Sequence, residues 1–317
     1  MRVSLFPKGE LDDLVGGRTD VNAWIAQAAS LPIDGVELYF RFFPAGDPAA
    51  VRRVGEALAA ADIAMPMLCV SPDFAHPDPG VRRQQIDEYG RFITIARELG
   101  GAGASCRVLS GQRHPGVDPD QGVQWVVEAF EELIPTAREL DVVLAFENHY
   151  KDGYWTYPEF AQRRQVYMRI LDAIDERLHF GVQFDPSNAI MAGEDSVDLL
   201  RSVINRVVTM QASDRQLAPG ATLESLRRAD GTVGYSPDLR HGVIGQGLND
   251  YPAIFGLLRD GGYDGWISIE DGVNGWDEMR ASVDFLNEAR ETYFGGSRDI
   301  RITAVERARE RVRGKLA

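Results

Sequence analysis

The stretch VVLAFENHY, from Val142 to Tyr150, indicates how this chain folds. It begins with five apolar residues and then becomes polar at Glu147, Asn148 and His149. A short apolar run that ends abruptly at polar residues is typical of a strand buried on both faces of a parallel sheet. In α/β barrels, the catalytic residues lie at the carboxyl ends of such strands. We therefore expect an active site at this end of the strand.

Apolar runs of this kind alternate with amphipathic, helical patterns along the chain. The predicted strands are Arg2–Pro7, Gly35–Phe40, Ala64–Val70, Gly103–Ser110, Val142–Glu147, Leu178–Asp185, Arg206–Ser213 and Gly265–Glu270. The predicted helices are Asp20–Leu31, Asp47–Ala61, Pro79–Leu99, Asp118–Leu140, Pro158–Ile174, Ser196–Asn205, Tyr251–Leu258 and Gly275–Tyr293. Eight strand–helix alternations without a change in composition predict a single-domain α/β fold, the (β/α)8 TIM barrel.

A doubly wound open sheet is the structural alternative. Such a sheet would normally carry a G-x-G-x-x-G turn after its first strand, and LFPKGELDDLVGG, from Leu5 to Gly17, contains none. Two segments are additional to the strands and helices of a minimal barrel. Residues 216–250 form a long loop after the seventh strand, of the kind that serves as a lid or binding loop. We predict a barrel domain at 1–297 and a charged helical tail at 298–317.

The composition limits the classes of partner. The chain has 317 residues, of which 44% are hydrophobic, and its formal net charge is −14. This charge disfavours nucleic acid and anionic membranes as partners, and no segment approaches the roughly 20 apolar residues of a membrane span. The two cysteines, Cys69 and Cys106, lie in apolar runs and are predicted to be buried and reduced. A soluble cytoplasmic protein is expected.

Potential metal ligands end four successive strands. They are Glu147, Asp185, Gln211 and Glu270, one on each of the predicted strands five to eight. A single acidic residue at such a position is more often a helix cap or a solvated group. A barrel brings the four strand ends together, however, and three carboxylates with one amide oxygen suit a hard divalent cation. We predict Mn²⁺, with Mg²⁺ next and Co²⁺ less suited because no histidine belongs to the set.

The order of these residues resembles the xylose-isomerase-like barrels of sugar isomerases and epimerases over nearly the whole chain. FENH at Glu147, FDPSN at Asp185 and WISIED at Glu270 match the family's Glu, Asp and Glu ligands, and the closing GGYDGWISIE is typical of it. The chain departs from the family pattern at Gln211 and Asn188, where many members carry histidine. Glutamine still offers an oxygen, so the resemblance implies a modified metal site.

His149 is the predicted catalytic base. A lone histidine is more often satisfied by nearby backbone groups, but His149 lies two residues beyond Glu147 and so on the same face of an extended strand. Beside a divalent cation, its imidazole would stay neutral and could accept a proton. The family resemblance also implies catalytic roles for Glu147 and Glu270 on opposite faces of the substrate. The predicted substrate-binding residues are Arg107, His114, Lys151, Asn188 and Arg215.

Such a site predicts enolisation of a keto-sugar. A divalent metal can hold a hydroxy-ketone and stabilise the enediolate that forms when the adjacent carbon loses its proton. Return of the proton gives an isomerase or epimerase, whereas loss of a group from the β-carbon gives a lyase. ENHYKDGYW from Glu147 to Trp155, Gln211, and SIEDGVNG from Ser268 to Gly275 resemble the large subunits of bacterial C-glycoside deglycosidases. The resemblance implies a 3-oxo-glycoside as substrate.

That resemblance also implies a reaction and a partner. His149 would remove the C2 proton of the 3-oxo sugar, the C1–aglycone bond would break, and a small β-rich subunit would join the chain in an oligomer. The alternative is an epimerase that acts on free ketoses without a second protein. A multi-zinc endonuclease would need more than the five histidines present. A non-catalytic sugar-binding protein would keep the barrel but bind no metal.

Overall fold

Strands and helices alternate along the chain in the computed structural model, which describes residues 1–43, 47–222, 224–225 and 236–295. The strands are β1 (Arg2–Leu5), β2 (Gly35–Val36), β3 (Leu38–Tyr39), β4 (Met67–Cys69), β5 (Ser105–Val108), β6 (Val143–Glu147), β7 (Phe180–Phe184), β8 (Val207–Ala212), β9 (Arg215–Leu217), β10 (Leu239–His241) and β11 (Trp266–Ile269). The helices are α1 (Leu11–Val15), α2 (Val21–Ala28), α3 (Pro48–Ala61), α4 (Pro79–Gly100), α5 (Pro119–Glu139), α6 (Arg164–Ala173), α7 (Pro186–Met191), α8 (Ser196–Val203), α9 (Tyr251–Asp260) and α10 (Trp276–Phe294).

Among the described residues, nine strands run parallel in one sheet, in the order β2-β1-β11-β8-β7-β6-β5-β4-β3. β2 and β3 are two halves of the second predicted strand, and Glu37 separates them. β2 pairs with β1, whereas β3 pairs with β4, so the divided strand joins the two ends of the sheet. The prediction of a single-domain (β/α)8 TIM barrel is confirmed.

Burial explains why these segments form strands and helices. Every residue of β5, β6 and β7 is buried, as expected for strands covered by helices outside and packed against each other inside the barrel. Helix α3 buries one face, which consists of Val51, Val54 and Leu58. The side chain of Asp47 caps α3 and Pro48 is its first residue, which agrees with the predicted start of this helix at Asp47.

The fifth predicted helix is shorter in the structure. Helix α6 begins well after Pro158, where the sequence pattern predicted its start. That prediction was wrong because the backbone before α6 bonds to other loops. The N–H of Glu159 donates to the carbonyl of Tyr150, and the N–H of Phe160 donates to the carbonyl of Gly111. These bonds replace a first helical turn and hold Glu159 close to the end of β6.

The chain after β8 forms a β-hairpin. β9 pairs antiparallel with β10, and Arg215 lies opposite His241. Asp214 then accepts hydrogen bonds from the backbone N–H groups of Gly245 and Gly247, each at 2.8 Å. These bonds fix the return of the chain toward α9 and place the hairpin over the carboxyl ends of the barrel strands.

Part of the predicted loop at 216–250 and the whole predicted tail at 298–317 lie outside the described residues. Cys69 and Cys106 are buried and free of disulfides, as predicted. In the described part of the chain, no helix is both long and apolar enough to cross a membrane.

Candidate active site at the carboxyl ends of the strands

The four predicted metal ligands lie at one end of the barrel. They are Glu147, the last residue of β6; Asp185, which follows β7; Gln211, near the end of β8; and Glu270, which follows β11. Because these strands are parallel neighbours, their carboxyl ends share one edge of the sheet. All four residues are buried, with exposed fractions between 0% and 2%. The site therefore consists of charged and polar groups removed from water.

Glu147 is held between an arginine and an amide. Arg107 donates to its Oε2 at 3.2 Å, and Asn188 Nδ2 donates to its Oε1 at 3.1 Å. Burial raises the pKa of Glu147 well above its usual range, Arg107 opposes the shift, and neighbouring carboxylates reinforce it. Positive charge added at this point would stabilise the carboxylate form.

Asp185 also caps the short helix α7, which the sequence did not predict. Its Oδ1 accepts hydrogen bonds from the backbone N–H of Asn188 at 3.1 Å and from the hydroxyl of Ser213 at 2.8 Å. Its Oδ2 is buried and accepts no hydrogen bond from the described residues. Burial raises the pKa of Asp185 to about 7, although Arg215 opposes the shift. Oδ2 is therefore available to a cation.

Two cationic side chains contact Glu270. Lys8 Nζ lies 2.7 Å from its Oε1, and an Arg215 nitrogen lies 3.3 Å from its Oε2. Burial alone would raise the pKa of Glu270, but these ion pairs hold it well below its usual range. Arg215 also donates to Asn188 Oδ1 at 2.9 Å. The predicted substrate-binding residues Arg215 and Asn188 thus connect Glu270 with Glu147, and Lys8 is a site residue that the sequence pattern missed.

Gln211 is fixed by two side chains inside the barrel. Its Oε1 accepts a hydrogen bond from Gln183 Nε2 at 2.6 Å, and its Nε2 donates to Glu37 Oε2 at 2.7 Å. Glu37 is fully buried. Burial raises the pKa of Glu37 to about 8, against the hydrogen bond from Gln211. The sequence pattern missed Glu37 because it divides a strand instead of ending one.

The side chain of His149 faces a second buried carboxyl group. Its Nδ1 lies 3.6 Å from Glu159 Oε2, and neither atom has a hydrogen-bond partner in the described structure. Burial lowers the pKa of His149 well below its usual value, and Arg107 adds to the effect. Burial raises the pKa of Glu159 to about 8. Burial therefore favours the neutral form of the imidazole, and the role of His149 as a base stays a prediction.

The three other predicted substrate-binding residues divide into two groups. Arg107 forms its ion pair with Glu147 inside the carboxylate cluster, and Lys151 is buried just beyond the end of β6, with 1% of its surface exposed. His114 lies instead in a neighbouring group of loops, where its Nε2 is 2.8 Å from Asp73 Oδ2. Substrate binding by these residues stays a prediction.

His241 reaches the same edge of the barrel from the hairpin. Its Nδ1 lies 3.3 Å from Asp271 Oδ1, and the backbone N–H of Asp214 donates to Asp271 Oδ2 at 2.9 Å. Burial lowers the pKa of His241 well below its usual value, and Arg215 and Lys8 add to the effect. The sequence carried no signal for this residue, because its position depends on the pairing of β9 with β10.

The donor set is chemically suited to a hard divalent cation. It offers three carboxylates and one amide oxygen, and Asp185 Oδ2 has no other partner in the described residues. As the side chains stand, no three His, Cys, Asp or Glu residues within the described ranges form a metal-holding group. Lys8 and Arg215 contact the two oxygens of Glu270 instead. A divalent cation would therefore compete with the protein's own cations.

A cavity of about 470 Å³ opens beside these loops. It is lined mostly by apolar residues together with two arginines. Tyr150 and Phe160 form part of its wall, and they directly follow His149 and Glu159 in the chain. None of the four predicted metal ligands lines it. The cavity is thus separate from the carboxylate cluster and adjoins it through the segments that carry the His149–Glu159 pair.

Fold and site together define a TIM barrel with an acidic cluster at the carboxyl ends of its strands. The profile of the xylose isomerase-like TIM barrel family matches residues 25–289. The chain belongs to this family, as the order of its strand-end residues indicated. The narrower resemblance to C-glycoside deglycosidase subunits stays a prediction.

Known proteins resemble the chain to different extents. It is 25% identical over 148 residues to an inosose dehydratase of Clostridium perfringens, a match that covers 46% of each protein. The matched part of the chain thus spans about half the length of that relative. A D-tagatose 3-epimerase-like protein has a similar structure, with a TM-score of 0.71, 16% identity and coverage of 93% of this chain and 99% of that one. The probable 3-DHS dehydratase AsbF of Bacillus anthracis gives a TM-score of 0.66, 14% identity and coverage of 90% and 98%.

Proposed function

We propose that the chain enolises a keto-sugar or a related cyclic keto-polyol and then eliminates a group from the β-carbon. The observation that carries this proposal is the buried imidazole of His149, which faces Glu159 at 3.6 Å beside the carboxylate cluster. An imidazole held at one nitrogen can take a proton at the other. The names of two similar proteins, an inosose dehydratase and a probable 3-DHS dehydratase, denote eliminations of water and support the reaction class.

The contacts of Glu270 favour elimination over epimerisation. Epimerisation needs proton-transfer groups on both faces of the substrate, and Glu270 occupies the family's second carboxylate position. Its two oxygens contact Lys8 and Arg215. Protonation of Glu270 would weaken both ion pairs, so it is a poor proton acceptor. An epimerase that acts on free ketoses is the second candidate, and the similarity to the D-tagatose 3-epimerase-like protein supports it.

The proposed reaction consumes no reactant other than the substrate. His149 takes the proton from the carbon next to the carbonyl, and the electron pair of that bond forms the enolate. When the carbonyl re-forms, a double bond develops between the α- and β-carbons and the bond to the departing group breaks. The departing group leaves with its electron pair and takes a proton. Arg107 and Arg215 are buried cations at this edge and would stabilise the negative charge on oxygen.

A divalent cation is part of the proposal. The residues that would hold it are Glu147, Asp185, Gln211 and Glu270. When bound, Mn²⁺ or Mg²⁺ would supply a fixed positive charge that polarises the substrate carbonyl. The oxygen donor set and the unpartnered Oδ2 of Asp185 support this assignment.

The finer proposal is a carbon–carbon lyase that acts on 3-oxo-C-glycosides. In such a substrate, the C2 proton lies next to the C3 carbonyl and the aglycone at C1 is in the β position. The same steps therefore break the bond between C1 and the aglycone carbon, which takes the proton. The stretch from Glu147 to Trp155 and the glutamine at position 211 support this proposal by resemblance. A small β-rich partner subunit belongs to the same proposal.

Deuterium exchange tests the proposed function. The full chain would be incubated in D₂O with Mn²⁺ and, in turn, an inosose, D-tagatose and a 3-oxo-C-glucoside, with and without proteins encoded by neighbouring genes. We expect the inosose or the 3-oxo-C-glucoside to lose its α-proton signal in the NMR spectrum and to yield the mass of an elimination product. Formation of an epimer from D-tagatose without elimination would favour the second candidate. Absence of exchange with all three probes would contradict both.

Asp185→Asn tests the metal assignment. We expect this change to weaken Mn²⁺ binding about tenfold or more, because it removes a negative charge from the donor set while an amide can still cap α7. Native mass spectrometry and titration calorimetry measure the binding. Asp195→Asn is the matched control, since Asp195 caps α8 in the same way but belongs to no predicted ligand set. Equal affinity of all three proteins for Mn²⁺ would rule out Asp185 as a ligand.

A further inference from the structure

We infer that Glu159 is a positioning residue that fixes the tautomer of His149, holding a proton on Nδ1 and leaving Nε2 as the basic nitrogen. The catalytic part of this inference rests on the proposed function. The tautomer itself is a property of the free protein.

The two facing atoms of His149 and Glu159 carry the inference. Nδ1 and Oε2 are both buried, both lack a hydrogen-bond partner in the part of the chain that the structure describes, and lie 3.6 Å apart. Buried polar atoms are nearly always hydrogen-bonded. A shift of roughly half an ångström would bring the pair to hydrogen-bond distance. Each atom is therefore the partner that the other lacks.

The other oxygen of Glu159, Oε1, already accepts hydrogen bonds from Ser110. Oε1 accepts hydrogen bonds from the backbone N–H of Ser110 at 2.6 Å and from its hydroxyl at 2.5 Å. The hydroxyl of Ser110 accepts in turn from the N–H of Ala161 at 3.0 Å. A backbone N–H can only donate, so the atom of residue 159 that faces it must be an acceptor. Ser110 thus determines which end of the side chain turns toward His149.

The backbone fixes the same arrangement. The N–H of Glu159 donates to the carbonyl of Tyr150 at 2.8 Å, which ties residue 159 to the neighbour of His149. The N–H of Phe160 donates to the carbonyl of Gly111 at 2.7 Å, which ties the same segment to the end of β5. The distance between the imidazole and the carboxyl group is therefore set by two backbone contacts and does not depend on a substrate.

The chemical consequence concerns the direction of proton transfer. Above its pKa of about 8, Glu159 is a carboxylate. In that form its Oε2 accepts from Nδ1–H, and the lone pair of the neutral ring lies on Nε2. When Nε2 takes the substrate proton, the imidazolium gains an ion pair with the same carboxylate. Glu159 therefore acts only through His149 and does not itself contact the reacting atoms.

Glu159→Gln should reverse the tautomer. Because Ser110 N–H requires an acceptor, the amide oxygen of the glutamine would stay on Ser110 and its NH₂ group would face Nδ1. That NH₂ group is a donor, so Nδ1 would become the acceptor and the proton would move to Nε2. We expect kcat to fall on the order of 10³-fold, as for the loss of a general base, with KM changed less than about threefold. Glu159→Asp keeps an acceptor and should restore the wild-type tautomer and part of kcat.

Imidazole ¹⁵N NMR of the full chain measures the tautomer directly. The chain has five histidines, and the signals lost in His149→Gln assign the ring. At about pH 9, above the pKa of about 8 that burial gives Glu159, we expect Nδ1–H in the wild type and Nε2–H in Glu159→Gln. Glu194→Gln is the matched control: it replaces a half-buried carboxylate that accepts from the N–H of Arg164, and it should leave tautomer and turnover as in the wild type.

The outcomes separate this inference from the proposed function. An Nε2–H tautomer in the wild type, or no change of tautomer in Glu159→Gln, overturns the inference. The wild-type spectrum alone shows which nitrogen of His149 carries the proton, even where Glu159→Gln fails to fold. A reversed tautomer with normal turnover would support the positioning role of Glu159 and contradict His149 as the base.

Discussion

Replacing His149 with alanine is expected to lower exchange of the substrate α-proton on the order of 10³-fold. The physical reason is the loss of the buried imidazole that faces Glu159 beside the carboxylate cluster. Binding of Mn²⁺ should stay as in the wild type, because no predicted ligand is changed. Deuterium incorporation followed by NMR, together with native mass spectrometry of the Mn²⁺ complex, measures both effects on the same sample.

Two controls distinguish chemistry from general damage at this position. His179→Gln removes another buried histidine, which lies before β7 at the opposite end of the barrel with its Nε2 3.3 Å from Asp141, and it should leave exchange unchanged. Imidazole added to His149→Ala should restore part of the exchange by entering the space left by the ring. Exchange by His149→Ala within about threefold of the wild type would exclude His149 as the base.

The fold could be predicted from local patterns in the sequence. Runs such as Val142 to Phe146 are buried on both faces, and caps such as Asp47 mark the helices that cover them. The start of the fifth helix could not be predicted, because the N–H groups of Glu159 and Phe160, at its predicted start, bond to distant carbonyls. A pattern of apolar residues contains no information about such long-range backbone partners.

Only some of the site residues could be predicted from the sequence, for a related reason. Glu147 and Asp185 were found because they end apolar runs, and a barrel brings such ends together. Lys8 was missed because its contact with Glu270 joins residues at opposite ends of the chain. The sequence therefore shows which acids are buried but not which cations accompany them, and those cations decide what the acids can do.

Arg107 is the cation whose removal should have the largest effect on stability. Arg107→Met is expected to lower the free energy of unfolding by about 3–5 kcal/mol, because it leaves the fully buried carboxylate of Glu147 without its ion-pair partner. Urea unfolding at neutral pH measures the change. Arg83→Met is the control, since Arg83 forms ion pairs with Asp87 and Glu132 at 2.7 and 2.6 Å on the surface, and losing them should cost less than about 1 kcal/mol.

The double variant Arg107→Met with Glu147→Gln separates the charge from the packing. If the loss of stability in Arg107→Met arises from the uncompensated carboxylate of Glu147, the double variant, in which both side chains are neutral, should recover most of that stability. Equal losses of stability in the single and double variants would instead assign the loss to packing.

Binding of Mn²⁺ tests the charge of Glu147 independently. A cation held by Glu147 compensates that carboxylate, so saturating Mn²⁺ should stabilise Arg107→Met more than it stabilises the wild type. Equal stabilisation of both proteins would mean that Arg107 and the metal do not share Glu147.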